Sequence, residues 1–325
     1  MARYSGPIIG TLLGLSWGLT GMGPSRGPTG PEPTLSPAID TVSALPLNSP
    51  GLEKRMKRAG LKTEFIADLL SEDPARPKKT FQEKAVYFML TQFAMKPSYS
   101  YATEAVALDS TRAFLEKNQV DLAACEAKYG VPAETLTSLM WVETKLGTRV
   151  GNYPIVDVYL SLVRAADPDA IALIQEKFDR AHEQEKEWQG KGRKKAHRLI
   201  EARAKKFVRF ATEELRALSK LEIPIHELKG SWAGAFGLGQ FIPSTFKRLA
   251  KDGNGDGRID PYSVADCACS IGSFLKRAGW GKKPKQQKRA LYGYNQSKPY
   301  GEAILNLSKQ LGDAGGRAVA GTEAK

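Results

Sequence analysis

The chain has 325 residues, 42% of them hydrophobic, with 48 Lys and Arg against 35 Asp and Glu for a formal net charge of +13. This is the balance of a globular protein with a sizeable core, and it excludes a disordered, collagen-like or polytopic membrane chain. The cationic excess favours anionic partners, while three cysteines (Cys125, Cys267 and Cys269) are too few for a disulfide scaffold and lack a zinc-finger spacing.

In chain order, Arg3 precedes an uncharged apolar stretch from Ile8 to Leu19. Its length suits a secretory signal better than a membrane span, so residues 1–23 read as a signal peptide or N-terminal anchor, and no cysteine follows to carry a lipid. Residues 24–50, rich in Pro, Ser, Thr and Gly, read as a linker. From Gly51 apolar residues recur at spacings of three and four with almost no period-two alternation, which predicts a mainly α fold. Leu61, Phe65, Leu69 and Leu70 share one face of a first helix, a proline-containing break spans Ser71 to Pro77, and Phe81 to Phe93 predicts the next helix. Charge dominates from about 167 to 207, where two solvated helices around a glycine hinge fit best. Arg193, Lys194 and Lys195 lie among acids and read as a wet face rather than a nucleic-acid patch. Residues 312–325, small and charged, read as a flexible tail.

Four stretches carry chemistry. In Gly130-Val-Pro-Ala-Glu-Thr-Leu-Thr-Ser-Leu-Met-Trp-Val-Glu-Thr-Lys-Leu-Gly147, Pro132 suits the first helical turn and Gly147 the stop. Helical geometry then places Glu143 among Leu136, Leu139 and Met140, on the apolar face. Burial disfavours the carboxylate and keeps the acid protonated, which a general acid requires near neutral pH. A structural glutamate satisfied by an arginine or by backbone groups fits the same spacing. Glycines and alanines alternate with Trp232, Phe236, Gln240 and Phe241 between Gly230 and Phe246, a pattern suited to close backbone approach and to sugar contacts, or to a tight turn entering a helix capped by Ser244.

Asp252-Gly-Asn-Gly-Asp-Gly-Arg-Ile-Asp260 follows the start of an EF-hand calcium loop, with oxygen ligands at positions one, three and five and Gly at six. Position seven, Arg258, uses its carbonyl. Position twelve is Ser263 where a bidentate Glu is expected, and Asp266 is the nearest substitute. An unliganded Asp/Gly turn is the alternative. Last, Tyr292-Gly-Tyr-Asn-Gln-Ser-Lys-Pro-Tyr300 places three tyrosines and an asparagine after a basic run. These suit a glycan groove or ordinary core packing.

In this order the four stretches resemble the lytic murein transglycosylase B family over roughly Gly51 to Leu311. The most specific parts are Val142-Glu-Thr-Lys-Leu-Gly147, the Gly230 to Ser244 segment, the Asp252 loop and Tyr294-Asn-Gln-Ser. The resemblance implies a lysozyme-like helical catalytic core (51–311) with an additional helical lobe and one EF-hand-like loop (252–266). It assigns the catalytic acid to Glu143, its serine neighbour to Ser231, substrate contacts to Gln240, Phe241, Tyr294, Asn295 and Tyr300, and a structural Ca2+ to Asp252, Asn254, Asp256, Arg258 and Asp266. No organic cofactor is implied.

The implied reaction cleaves the β-1,4 bond between N-acetylmuramic acid and N-acetylglucosamine in peptidoglycan, closing a 1,6-anhydro ring without water. One Glu then serves as acid and afterwards as base, which explains the lack of the second carboxylate that ordinary glycosidases use. The expected partner is the peptidoglycan glycan strand, not nucleic acid. The expected location is the periplasm or cell envelope of a bacterium, with any membrane association made through the N-terminus. A muramidase that consumes water, and a scaffold that binds peptidoglycan without cleaving it, are the alternatives. Thr144 departs from the Ser that many relatives carry there, and the charged segment is longer than the family needs.

Overall fold

The structure, a computed structural model, describes residues 45–74, 76, 78–91 and 105–322. The expected signal segment (1–23) and most of the expected linker lie outside the described residues. The segment ahead of the first helix is packed: Leu47 is buried, and the Pro46 carbonyl accepts a hydrogen bond of 2.7 Å from Arg164 Nε. Ser49 then caps helix α1 (Pro50–Arg58), its hydroxyl accepting from the Leu52 amide while Pro50 occupies the first turn.

Two groups of helices follow. The first is built on α6 (Ala133–Thr144), which contacts α4 (Ala105–Lys117), α5 (Gln119–Tyr129), α11 (Val264–Arg277) and α13 (Lys298–Thr322). Every residue of α6 from Thr135 to Thr144 is buried, so it is a central helix and not an amphipathic one at the surface. Its polar side chains include Ser138, tolerated through a local bond in which Oγ donates to the Glu134 carbonyl at 2.6 Å. Helix α6 starts one residue after Pro132, and the Glu126 carboxylate from α5 accepts its first amide, Ala133 N, at 3.0 Å.

The second group centres on α7 (Ile155–Arg164), which packs on α1, α3 (Glu83–Thr91) and α9 (Lys191–Leu218). It corresponds to the additional helical lobe. Helix α2 (Thr63–Leu70) follows α1, and α8 (Pro168–Ala181) lies against α3 and α9. The charged segment forms α8 and α9, with Gly190 at a φ of 52° between them. Ala196, Ile200, Ala204, Phe207, Ala211 and Leu215 give α9 a buried stripe at helical spacing, and its charges lie on the other side. Arg164, only 2% exposed, is neutralised by a two-pronged bond to Asp169 at 3.0 and 2.7 Å.

Helix α10 (Pro243–Leu249) bridges the groups, touching α9 and α11, and α12 (Pro284–Tyr294) joins α11 to α13. Among the described residues the only sheet pairs β1 (Tyr153–Pro154) with β2 (Lys229–Gly230), Tyr153 opposite Gly230. Helix α13 extends to Thr322, beyond position 312, even though Gly312, Gly315, Gly316 and Gly321 are poor helix formers. Cys125 on α5 and Cys269 on α11 form a disulfide across a sequence separation of 144, and Cys267 remains a buried thiol. Closing so long a loop restricts the unfolded chain by about 5 kcal/mol in the entropic treatment.

Candidate active site

Glu143 sits in the last turn of α6, 7% exposed, where burial pushes its carboxyl up to about 8. One hydroxyl opposes this rise: Tyr300 on α13 donates to Glu143 Oε1 at 2.5 Å. At neutral pH the group is therefore an acid. The sequence placed the serine Ser231 beside this carboxyl. In the structure Ser231 Oγ is engaged by its own turn, accepting from Ala235 N at 3.2 Å and donating to the Ala235 carbonyl at 3.4 Å, and Tyr300 holds the acid.

The helix stops abruptly just beyond. Lys145 and Leu146 have φ of 50° and 57°, left-handed values that cost a side-chain-bearing residue about 1–2 kcal/mol each, and Gly147 follows at 91°. The stop thus begins two residues before the expected glycine. Thr144 holds it: its hydroxyl donates to the Leu238 carbonyl at 3.0 Å and accepts from Gly147 N at 3.0 Å. Lys145 Nζ lies 4.2 Å from the centre of the Trp141 ring. Thr144 therefore ties the acid's helix to the glycine-rich segment.

That segment folds back on itself through bridges pairing Gly230 with Phe236 and Phe236 with Phe241. Gly239 shows why glycine is needed: a Cβ there would lie 3.0 Å from the Phe241 ring, 3.1 Å from Tyr294 Oη and 3.2 Å from Cys267 Sγ. Gln240 is held at a φ of 49°; its Nε2 donates to the Val150 and Gly237 carbonyls at 3.1 and 3.0 Å, while Oε1 is buried without a hydrogen-bond partner. Phe241 is 6% exposed, and its ring backs Tyr294 at 5.5 Å between centres. Phe274, unforeseen in the sequence, meets Tyr294 edge-on at 4.7 Å and stands 6.5 Å from Phe241, so the three rings form one cluster.

Tyr294 donates to the Gly239 carbonyl at 2.5 Å. Burial, with smaller contributions from Glu143 and Cys267, keeps its hydroxyl protonated. Asn295 ends α12 and is almost wholly buried, as is Tyr300. The structure thus gathers Glu143, Tyr300, Tyr294, Phe241 and Gln240 into one packed shell and spends Ser231 on shaping the adjoining turn.

Ser244 is not the cap of α10. The cap position is Ile242, and the Glu214 carboxylate of α9 reaches across to accept from both Ser244 N and Ser244 Oγ at 2.7 Å. Glu214 is buried, its carboxyl pushed up to about 7 by burial. It escaped the sequence reading, although it falls in register with Phe207, Phe210, Ala211 and Leu218 on the buried stripe.

The Asp252 loop turns its side chains onto its own amides. Asp252 accepts from Gly255 N at 2.6 Å and Gly257 N at 2.9 Å, and Asp256 from Arg258 N at 2.8 Å. Asp266, two-thirds of a turn into α11, accepts from Gly253 N at 2.7 Å and Asp260 N at 2.8 Å, closing the loop at both ends. Among the described residues no group of three or more His, Cys, Asp or Glu side chains is arranged to hold a metal ion. The donor set is nevertheless all oxygen, as a hard cation needs, and each carboxylate oxygen bound to one amide keeps a second lone pair.

The fold is of the lysozyme-like helical class. The chain belongs to the transglycosylase SLT domain family, which it matches over residues 48–289. It is 30% identical over 154 residues to the membrane-bound lytic murein transglycosylase B of Escherichia coli, an alignment spanning 47% of this chain and 33% of that protein. The soluble lytic transglycosylase SltB1 of Pseudomonas aeruginosa superposes with a TM-score of 0.58 at 20% identity, over 82% of this chain and 100% of that one. The Escherichia coli lytic transglycosylase Slt35 in complex with calcium does so with a TM-score of 0.56 at 17% identity, over 82% and 94%. These superpositions are likenesses of fold.

Proposed function

We propose that the protein is a lytic transglycosylase that cleaves the β-1,4 bond between N-acetylmuramic acid and N-acetylglucosamine in peptidoglycan and leaves a 1,6-anhydromuramic end. The observation that carries this reading is one buried, protonated carboxyl, Glu143, held by one hydroxyl, Tyr300. Glu143 gives its proton to the departing glycosidic oxygen. The carboxylate left behind is stabilised by the Tyr300 bond, which becomes charge-assisted, and then takes the proton of the muramyl O6 hydroxyl as that oxygen closes onto C1. Proton count balances over the cycle and water is not consumed.

Among the described residues no second carboxylate hydrogen-bonds Glu143 or contributes to the shift of its pKa. The other buried acids among the described residues are engaged elsewhere: Glu83 by Lys177, Asp157 by the Thr80 amide, Asp167 by Arg55 and Arg164, Glu214 by Ser244, and Asp266 by the Gly253 and Asp260 amides. Internal attack needs no second carboxylate as base or nucleophile, whereas a water-consuming muramidase does. Tyr294 offers the sugar a ring braced by Phe241 and Phe274. The unpaired Oε1 of Gln240 is an acceptor that a sugar hydroxyl would satisfy. Asn295 completes the same wall, and Ser231 shapes the turn that faces the acid.

Calcium held by Asp252, Asn254, Asp256, the Arg258 carbonyl and Asp266 would brace the loop between α10 and α11 and supply no chemistry to the sugar. Export to an oxidising envelope compartment is supported by the Cys125–Cys269 disulfide, a bond that reducing cytoplasm disfavours. No helix among the described residues is long and apolar enough to cross a membrane, so attachment to one would rest on residues 1–23. Replacing Glu143 by Gln tests the reading. The variant should bind purified sacculi as the wild type does while losing turnover by roughly a thousandfold, a general-acid effect. Turnover at the wild-type rate would refute it.

A further inference from the structure

From Asp266 to Glu302 the chain contains no acidic residue but eight cations, beginning with Lys276 and ending with Lys298. All eight are exposed. On α12, Lys285, Lys288, Arg289 and Tyr292 fall within about 100° of one another around the helix axis, and Tyr292 is 45% exposed. Among the described residues the only ion pair these cations make is Lys288 with Glu302, at 4.0 Å between two well-exposed side chains. Arg277 at the end of α11 stands near Arg248 on α10, whose basicity is lowered first by burial and then by this like charge. Among the described residues such a face is left largely unneutralised.

Its position adds the second observation. Helix α12 runs from this stripe directly into Tyr294 and Asn295, and Lys288 precedes Tyr294 by six residues, about 9 Å along the axis. The stripe is therefore continuous with the wall of the candidate active site. A bilayer fits it less well, since Tyr292 is the only large apolar side chain exposed along it and no wedge is available for insertion.

We propose that the basic face running from the end of α11 through α12 is a second substrate contact, taking the carboxylates of the peptides carried by the glycan while the sugars lie against Tyr294. This rests on the peptidoglycan reading above. A glycan strand bears an anionic peptide at each muramyl residue, so a cationic rim beside the sugar site meets several carboxylates of one strand. Each exposed contact is weak and screened by salt, and only their sum is appreciable.

The test uses the full chain with Lys282, Lys285, Lys288 and Arg289 all changed to Gln, and compares two substrates: intact sacculi and glycan strands stripped of peptide by an amidase, with the lactyl carboxylates exposed by that cleavage converted to neutral methylamides. Unaltered far-ultraviolet spectrum and melting temperature establish that the variant is folded. At low salt the wild type should favour peptide-bearing strands by about tenfold in KM and in cosedimentation, given four or more weak contacts. That preference should vanish in the variant and in the wild type at high salt, with kcat little changed. Equal loss on both substrates, or no loss on either, would overturn the proposal, as would loss of binding to anionic phospholipid vesicles with sacculus binding intact. A wild type that cleaves neither substrate would count against the enzymatic reading alone, because cosedimentation would still report on the face.

Discussion

The Tyr300 hydroxyl and Glu143 Oε1 meet at 2.5 Å across 157 positions of sequence, joining the last helix to the last turn of the central one. Burial raises the carboxyl and this bond lowers it, so the acid's working range is the difference between two opposing effects. Tyr300→Phe removes only the second. The alkaline limb of the pH–rate profile, expected near 8, should move upward, and kcat should fall about tenfold as the carboxylate loses a charge-assisted bond. An unmoved limb would show that the tyrosine merely packs.

Glu143 also bears on stability. Its folded pKa, about 8, lies above its ordinary value of 4.5, so ionisation favours the unfolded chain. Below about pH 4.5 the acid is protonated in both states and costs nothing by this route; the penalty grows as pH rises toward 8. Glu143→Gln, which keeps an acceptor for Tyr300, should therefore leave the melting temperature unchanged in acid and raise it at pH 8. The gain should be a few kcal/mol at most, at roughly 2–4 °C per kcal/mol for a chain of this size.

Glu214 and Ser244 provide a separate test of how the glycine-rich segment is anchored. Glu214→Ala leaves the first turn of α10 without its acceptor and opens a buried gap, and should cost about 2–4 kcal/mol in denaturant unfolding. Glu214→Gln keeps an acceptor for the Ser244 amide and should be tolerated. It should also remove the destabilisation that sets in between pH 4.5 and about 7 as the unfolded chain's carboxyl ionises and the buried one does not.

For calcium, the wild type should melt at a higher temperature at saturating ion, by about 3 kcal/mol of stability at a hundred times the dissociation constant. Asp256→Ala is the informative variant because Asp256 is exposed and braces only the Arg258 amide and Asn254. It should fold normally and lose the calcium response. A melting curve indifferent to calcium in the wild type would remove the ion from the account.

The helical class and the charged pair of helices were legible because each rests on spacing within helices; the burial of Glu143 was also expected, but its cause is the central placement of α6, buried on every side from Thr135 to Thr144, and not one apolar face. Glu214 went unread although the same rule reaches it, since it lies on the stripe with Phe207 and Leu218, and its partner Ser244 read as a local cap. Side-chain caps drawn from another helix leave no mark near the capped residue. Nor does the Tyr300 bond, which depends on how α13 packs on α6. The left-handed pair Lys145 and Leu146 was hidden for a different reason: their residue types disfavour that backbone, which is held by the neighbouring Thr144 hydroxyl through Gly147 N and the distant Leu238 carbonyl. Ser231 was assigned through resemblance, and the bonds its hydroxyl makes to Ala235 could not be read from the sequence.

The most direct measurement of the central claim is the mass of the sugar ends released from purified sacculi by the wild type and by Glu143→Gln. A single acid that later acts as base predicts muramyl ends lighter by one water from the wild type and almost no release by the variant. Fully hydrated muramyl ends from the wild type, or anhydro ends from the variant at an undiminished rate, would contradict it.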